Sequence, residues 1–148
     1  MNLRDFDHVP SVGSVMTPFP HFVEAKEPVT TAETLMTEHE IRHLPVLDGG
    51  EVVGIITERD LKRLVHPSLP LADKARIRAR DVMHREVYIT DIHTPLDRVL
   101  DQMIERRLGS CVVLRHEKLV GIFSTVDACR VLGEVLAERF PRGPGDAA

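Results

Sequence analysis

Two stretches of this chain carry side chains suited to chemistry at a matching spacing: "GIITERD", from Gly54 to Asp60, and "GIFSTVD", from Gly121 to Asp127. Each runs Gly, two apolar residues, a hydroxyl, two variable residues and Asp. The hydroxyl and the carboxylate, three positions apart, have a local use. Thr57 can cap a helix by accepting from the backbone N–H of Asp60, while the Asp60 carboxylate accepts from the Thr57 N–H, and Ser124 and Asp127 can do the same. A cap contributes about 1 kcal/mol and accounts for the hydroxyl. It would take Glu or Gln as readily as Asp at the last position. The same groups have a second use. A helix start that follows a strand offers free N–H groups and a partial positive charge to a phosphate, and hydroxyl and carboxylate groups suit a ribose. The preceding Gly lets another backbone or a ligand come close.

A third pattern, "HEIRH" from His39 to His43, matches the H-E-x-x-H spacing of zinc hydrolases. That chemistry needs both histidines on one helical face with the Glu acting as base on a zinc-bound water. Pro45 opposes it, because the residue before a proline is pushed towards extended geometry and the helix is expected to end near Glu40. The other histidines are scattered and read as surface residues, so no metal site is expected.

The elements that must position these groups are written twice. Gly54 and Gly121 lie 67 positions apart, and the same offset pairs Val15 with Val82, Met16 with Met83, Pro28 with Pro95, Met36 with Met103, Asp60 with Asp127 and Arg63 with Arg130, without a gap. Such internal repetition decides the fold before any motif does. The expected divisions are an N-terminal extension (1–11), repeat 1 (12–65), a connector (66–78) containing two prolines, repeat 2 (79–138) and a flexible Pro- and Gly-rich tail (139–148).

Within each repeat, "HFVEA" and "VYITD" read as short strands. Spaced apolar residues (Val29, Ala32, Leu35, Met36; Leu96, Val99, Leu100, Met103, Ile104) then predict amphipathic helices. Pro28 and Pro95 suit helix starts, and Thr94 is a candidate cap for the second helix. Two β-rich runs follow, separated by "DGG" or "RHE", and then a last helix. The predicted class is α+β with an α/β-like order, β-α-β-β-α stated twice. Three strands under two helices make a thin core, so the repeats are expected to pack as a pseudo-twofold pair with two equivalent clefts.

Composition excludes several classes. The formal charge of −4 gives no general pull on nucleic acid, and 43% hydrophobic with 28% charged residues is ordinary for a globular protein. No apolar run approaches the roughly 20 residues of a membrane span, and the polar start lacks a signal-peptide core, so a cytoplasmic address is expected. Cys111 and Cys129 sit in apolar surroundings and read as reduced, packed thiols. "KARIRARD", from Lys74 to Asp81, reads as a solvated connector face. No P-loop, Ser-His-Asp order or Cys ligand cluster is present, and no enzymatic activity is expected.

The repeated phrase, placed after "RHLPVLD" and preceded some forty residues earlier by "SVMT" or "DVMH", resembles the cystathionine β-synthase (CBS) domain over about Val12 to Leu132. The resemblance implies a tandem pair, often a homodimer, whose clefts take AMP, ADP, ATP or S-adenosylmethionine as a regulatory ligand with no cofactor required. It also implies an output through a change of geometry towards a partner protein. It nominates Thr57, Asp60, Ser124 and Asp127 for ribose and phosphate, with Arg42, His43 and Arg59 for phosphate. Val23, Ile41 and Ile89 are the apolar candidates to sandwich a base. The second repeat departs from the first: Gly109, Ser110 and Val126 stand where the first has Arg42, His43 and Arg59. The first copy is therefore the expected site for a phosphorylated ligand. The other expectation is an interaction module with vacant clefts, and a zinc hydrolase built on "HEIRH" is the remotest.

Overall fold

A computed structural model describes residues 7–18, 20–64 and 71–145. Part of the expected N-terminal extension (1–6), the end of repeat 1 and start of the connector (65–70), and the last tail residues (146–148) lie outside the described residues.

The element order is β1 (Thr17–Pro18), β2 (Val23–Glu24), α1 (Val29–His39), β3 (His43–Asp48), β4 (Glu51–Thr57), α2 (Glu58–Leu64), α3 (Leu71–Lys74), α4 (Ala79–Val82), β5 (Ile89–Asp91), α5 (Leu96–Arg106), β6 (Ser110–Arg115), β7 (Lys118–Ser124) and α6 (Thr125–Arg139). The repeated β-α-β-β-α order is therefore present as β2-α1-β3-β4-α2 and β5-α5-β6-β7-α6. In each repeat the first strand runs parallel to the second, and the second pairs antiparallel with the third.

Both long helices bury the stripe their spacing demands: Val29, Ala32 and Met36 on α1, and the equivalent Leu96, Val99 and Met103 on α5. Pro28 and Pro95 sit one step earlier than expected, at the N-cap with extended backbone. Thr94 does not cap α5. Its hydroxyl accepts from Thr90 Oγ1 at 2.7 Å instead, and Pro95, which holds the N-cap position, has no hydroxyl to offer. The β3–β4 hairpin turns through Gly49 and Gly50, both with positive φ, which glycine adopts without a Cβ penalty.

The segments that open each repeat are exchanged. β1 pairs antiparallel with β7 of the other repeat, Thr17 opposite Ile122 and Pro18 opposite Gly121. At the equivalent place His84 bridges Ile55 of β4. Backbone bonds follow the same exchange: Val12 N–H donates to Thr94 and Leu96 N–H to Pro10, while Ala79 N–H donates to Glu27 and Val29 N–H to Ile77. Neither core is closed by its own repeat, because Ala79 completes the one built on Val23, Leu44 and Ile56, and Val12 and Val15 complete the one around Phe123.

The same exchange accounts for the glycines of the repeated phrases. A Cβ on Gly121 would collide with the Met16 sulfur, and one on Gly54 with the Met83 sulfur, so each methionine lies directly across the bare backbone of the opposite repeat. Part of "KARIRARD" is likewise structural rather than solvated: Ile77 packs on the first core and Ala79 is fully enclosed. Lys74 ion-pairs with Glu33 of α1.

Overpacking of this kind costs about 1–3 kcal/mol, so Gly54→Ala and Gly121→Ala should each lower stability by that order in chemical denaturation. The two differ in repair. At Gly121 the three nearest atoms all belong to the Met16 side chain, so adding Met16→Ala should recover part of the loss. At Gly54 the His84 carbonyl oxygen also stands 2.9 Å from the added carbon, so Met83→Ala should recover little.

Candidate functional site

Where the exchanged segment of repeat 2 crosses the end of β4, a cleft of about 740 Å³ opens between the repeats. The first repeat lines it with Arg42 and His43 at the start of β3, Thr57 at the end of β4, and Glu58, Arg59, Asp60, Lys62 and Arg63 from α2. The second repeat adds His84, Glu86, Val87 and Tyr88 before β5, then Arg107, Leu108, Gly109 and Ser110 before β6, and Thr125 at the start of α6.

Strand geometry places these groups. The N–H of Glu58 donates to the Arg42 carbonyl at 2.9 Å, and in the second repeat the N–H of Thr125 donates to Gly109 at 3.0 Å. Each last helix is thereby tied to the loop that enters the central strand, which brings residues 42 and 43 against 57 to 60. His43 reaches across to the other repeat, with Nε2 only 3.3 Å from where a Cβ on Gly109 would stand. A larger side chain there would compete with the imidazole.

Thr57 and Asp60 form the reciprocal pair expected of them. Asp60 Oδ2 accepts from the Thr57 N–H and from the Thr57 hydroxyl, both at 2.8 Å, and the Asp60 N–H donates to Thr57 Oγ1 at 3.3 Å. Asp60 Oδ1 accepts from His84 Nε2 at 2.6 Å. Burial of Asp60 works to raise its pKa, but the hydrogen bonds from Thr57 and His84 outweigh it and hold the carboxyl below the ordinary carboxylate range. The Asp is thus an anion with its charge concentrated by low exposure.

Around it stand Arg42, Arg59, Lys62, Arg63 and Arg107, five fixed cations against the three carboxylates Glu58, Asp60 and Glu86. Glu58 holds Lys62 at 3.0 Å and Arg42 at 3.7 Å, and the Lys62 contact pulls its pKa down. Arg59, Arg63 and Arg107 carry no ion pair among the described residues. In a chain of formal charge −4, a cleft with this surplus of positive charge attracts an anion.

The structure brings together Arg42, His43, Thr57, Arg59 and Asp60 and leaves the other nominated residues outside the lining. Val23 is fully enclosed in the first core, opposite Val46 of β3, and so has no face for a base. Ile41 is half-buried against that core and lines a separate groove between α1 and α2. Ile89 is exposed on β5. Ser124 and Asp127 are occupied with the cap of α6, where Asp127 Oδ2 accepts from the Ser124 N–H at 2.9 Å and hydroxyl at 3.1 Å. The apolar wall comes instead from Val87, Tyr88 and Leu108, with the Arg106 guanidinium 5.3 Å from the Tyr88 ring centre.

His84 was not among the residues nominated from the sequence. Its signal lay in the repeat alignment, where it stands at the position of Thr17, directly after the paired methionines. "HEIRH" is not helical: α1 ends at His39, and Glu40 turns left-handed with φ 53°. The His39 ring stacks on His21 with centres 3.6 Å apart. No group of three metal-ligating side chains occurs among the described residues. Cys111 is packed as expected, and burial pushes its thiol up to about 12, whereas Cys129 is exposed because α6 turns that face outward. No helix among the described residues is long and apolar enough to cross a membrane.

The CBS domain family matches this chain twice, at residues 12–67 and 79–134. The chain belongs to the CBS domain family. Hypoxic response protein 1 of Mycobacterium tuberculosis is 32% identical over 117 residues, 77% of this chain and 79% of that protein. An inosine-5′-monophosphate dehydrogenase of Staphylococcus saprophyticus is 29% identical over 142 residues, 89% of this chain but 27% of the enzyme. The A-adding tRNA nucleotidyltransferase of Geobacter sulfurreducens is 24% identical over 104 residues, and the match spans 11% of it. Some relatives are therefore enzymes of which the matched segment is a part.

Among solved structures, the CBS domain pair of protein MJ0100, in complex with 5′-methylthioadenosine and S-adenosyl-L-methionine, superposes with a TM-score of 0.71 at 26% identity, covering 83% of this chain and 99% of that one. A conserved protein of Pyrococcus horikoshii gives 0.71 at 29% identity, covering 86% and 95%. The chain is a tandem CBS pair in fold and in sequence.

Burial, and then the neighbouring Arg42 charge, lower the pKa of His43, while Asp60 partly opposes them. Below the ordinary histidine value of 6.5 the unfolded chain takes up a proton that folded His43 does not. Folding stability should therefore fall as pH drops through about 6.5 and level off below the folded pKa. Thermal melts between pH 7.5 and 5 should show this slope, and His43→Gln should flatten it.

Proposed function

We propose that this chain is a regulatory module that binds an adenosine-containing ligand, AMP, ADP, ATP or S-adenosylmethionine, in the cleft carrying Thr57 and Asp60. The observation that carries the reading is the charge arrangement of that cleft: five fixed cations from both repeats around one hydrogen-bonded carboxylate. A carboxylate suits ribose hydroxyls because its oxygens only accept, and guanidinium forks suit phosphate. The complex of the MJ0100 pair with two adenosine derivatives supports the ligand class.

Arg59, Arg63 and Arg107 are the candidates to meet phosphate first, since Arg42 and Lys62 are already engaged by Glu58. Tyr88, Val87 and Leu108 are the candidates for the base. Because both repeats line the cleft, a ligand that touches both favours one arrangement of the pair over another, which is the differential affinity a signal needs. The exposed apolar residues of α6, Leu132, Val135 and Leu136, with Phe140 at its C-cap, support a homodimer whose geometry the ligand changes; a cytoplasmic setting and a regulated protein as the recipient complete the proposal.

Calorimetric titration of the purified chain with the four ligands tests this. At least one should bind, and Asp60→Ala should weaken it by tenfold or more while the protein stays folded by circular dichroism. Arg59→Ala should weaken a phosphorylated ligand several-fold and leave adenosine unchanged. Absence of binding by all four, or an Asp60→Ala protein that binds as well as wild type, overturns the proposal.

A further inference from the structure

The two equivalent carboxylates differ in how many of their acceptor positions the protein itself fills. An ionised carboxylate offers about four, two on each oxygen. On Asp127, Oδ2 takes the Ser124 N–H and hydroxyl, and Oδ1 takes the Thr17 hydroxyl at 3.2 Å and Arg130 Nη2 at 3.4 Å. All four are spoken for, and the Arg130 donor is further anchored by the Val15 carbonyl at 2.7 Å.

Asp60 differs by one. Its Oδ2 is filled by the Thr57 N–H and hydroxyl, and its Oδ1 takes only His84 Nε2, at 2.6 Å. Arg63, which stands where the second repeat has Arg130, lines the cleft and makes no contact with Asp60 among the described residues. One acceptor position therefore stays open, beside the imidazole. A single ribose hydroxyl can use it, but a vicinal diol brings two donors and needs the position His84 holds.

We propose that His84 is a positioning residue that selects the ligand: it latches Asp60 Oδ1, and a vicinal diol must displace it to bind, whereas the filled carboxylate of Asp127 takes no ligand. The inference rests on the nucleotide reading above. Displacement is feasible because the His84 side chain is 53% exposed, against 7% for Asp60, so the released imidazole regains water. It also has a consequence for geometry. His84 begins the stretch that reaches Glu86, Val87 and Tyr88 on the opposite wall, so breaking its side-chain bond to α2 removes one of the ties on the crossing segment, which keeps its backbone bridge to Ile55.

The test titrates AMP and 2′-deoxy-AMP into wild type, His84→Ala and His84→Gln, the last keeping an N–H donor of similar reach. A competing charge-assisted hydrogen bond is worth a fold-change on the order of ten to a hundred. His84→Ala should therefore tighten AMP by about that factor and leave 2′-deoxy-AMP unchanged. His84→Gln should stay near wild type, and every titration should fit one site per chain. An AMP to 2′-deoxy-AMP ratio that is unchanged or falls in His84→Ala, or two sites per chain in wild type, overturns the latch while nucleotide binding stands. No binding of AMP to any of the three proteins overturns the latch, and the nucleotide reading falls with it only when ADP, ATP and S-adenosylmethionine are silent as well.

Discussion

Met16 laid across Gly121, and Met83 across Gly54, are the contacts on which the rest of the molecule depends. Each methionine belongs to the opening segment of one repeat and each glycine to the last strand of the other, so neither core can be completed without its neighbour. A three-stranded sheet with two helices has too little apolar surface to stand alone, and the exchange supplies the missing cover. It also brings the end of the crossing segment over the start of α2, which is why His84 meets Asp60 at all.

The cleft follows from that constraint. A helix that starts directly after a strand must satisfy its first N–H groups, and Thr57 with Asp60 does so on one side while leaving part of the carboxylate towards the cleft. The same device in the second repeat, Ser124 with Asp127, is closed by Thr17 and Arg130. Two phrases of the same pattern thus make one open carboxylate and one that is fully partnered. The basic side chains sharpen the asymmetry, because Arg42, His43 and Arg59 lie on one side only and Gly109 leaves room for His43 to lean across.

Much of this was legible in the residues. The 67-residue offset, the amphipathic stripes of α1 and α5, the end of α1 at Glu40 and both capping boxes follow from periodicity and local side-chain chemistry, which act over a few residues. The readings that failed needed longer range. Val23 is an apolar residue at a strand start whether it faces a ligand or a core, and only its pairing with Val46 decides. Cys129 has apolar neighbours in sequence, yet its helix presents it outward.

By itself the sequence determined that the fold is a doubled β-α-β-β-α unit with a hydroxyl-carboxylate pair at the start of each last helix, because those features rest on spacing and on bonds between residues three or four apart. Only the tertiary structure decided which repeat each opening segment serves, and hence that His84, 24 residues from Asp60, would be its closest partner. That choice depends on where apolar surface is left uncovered in three dimensions, which no local pattern records.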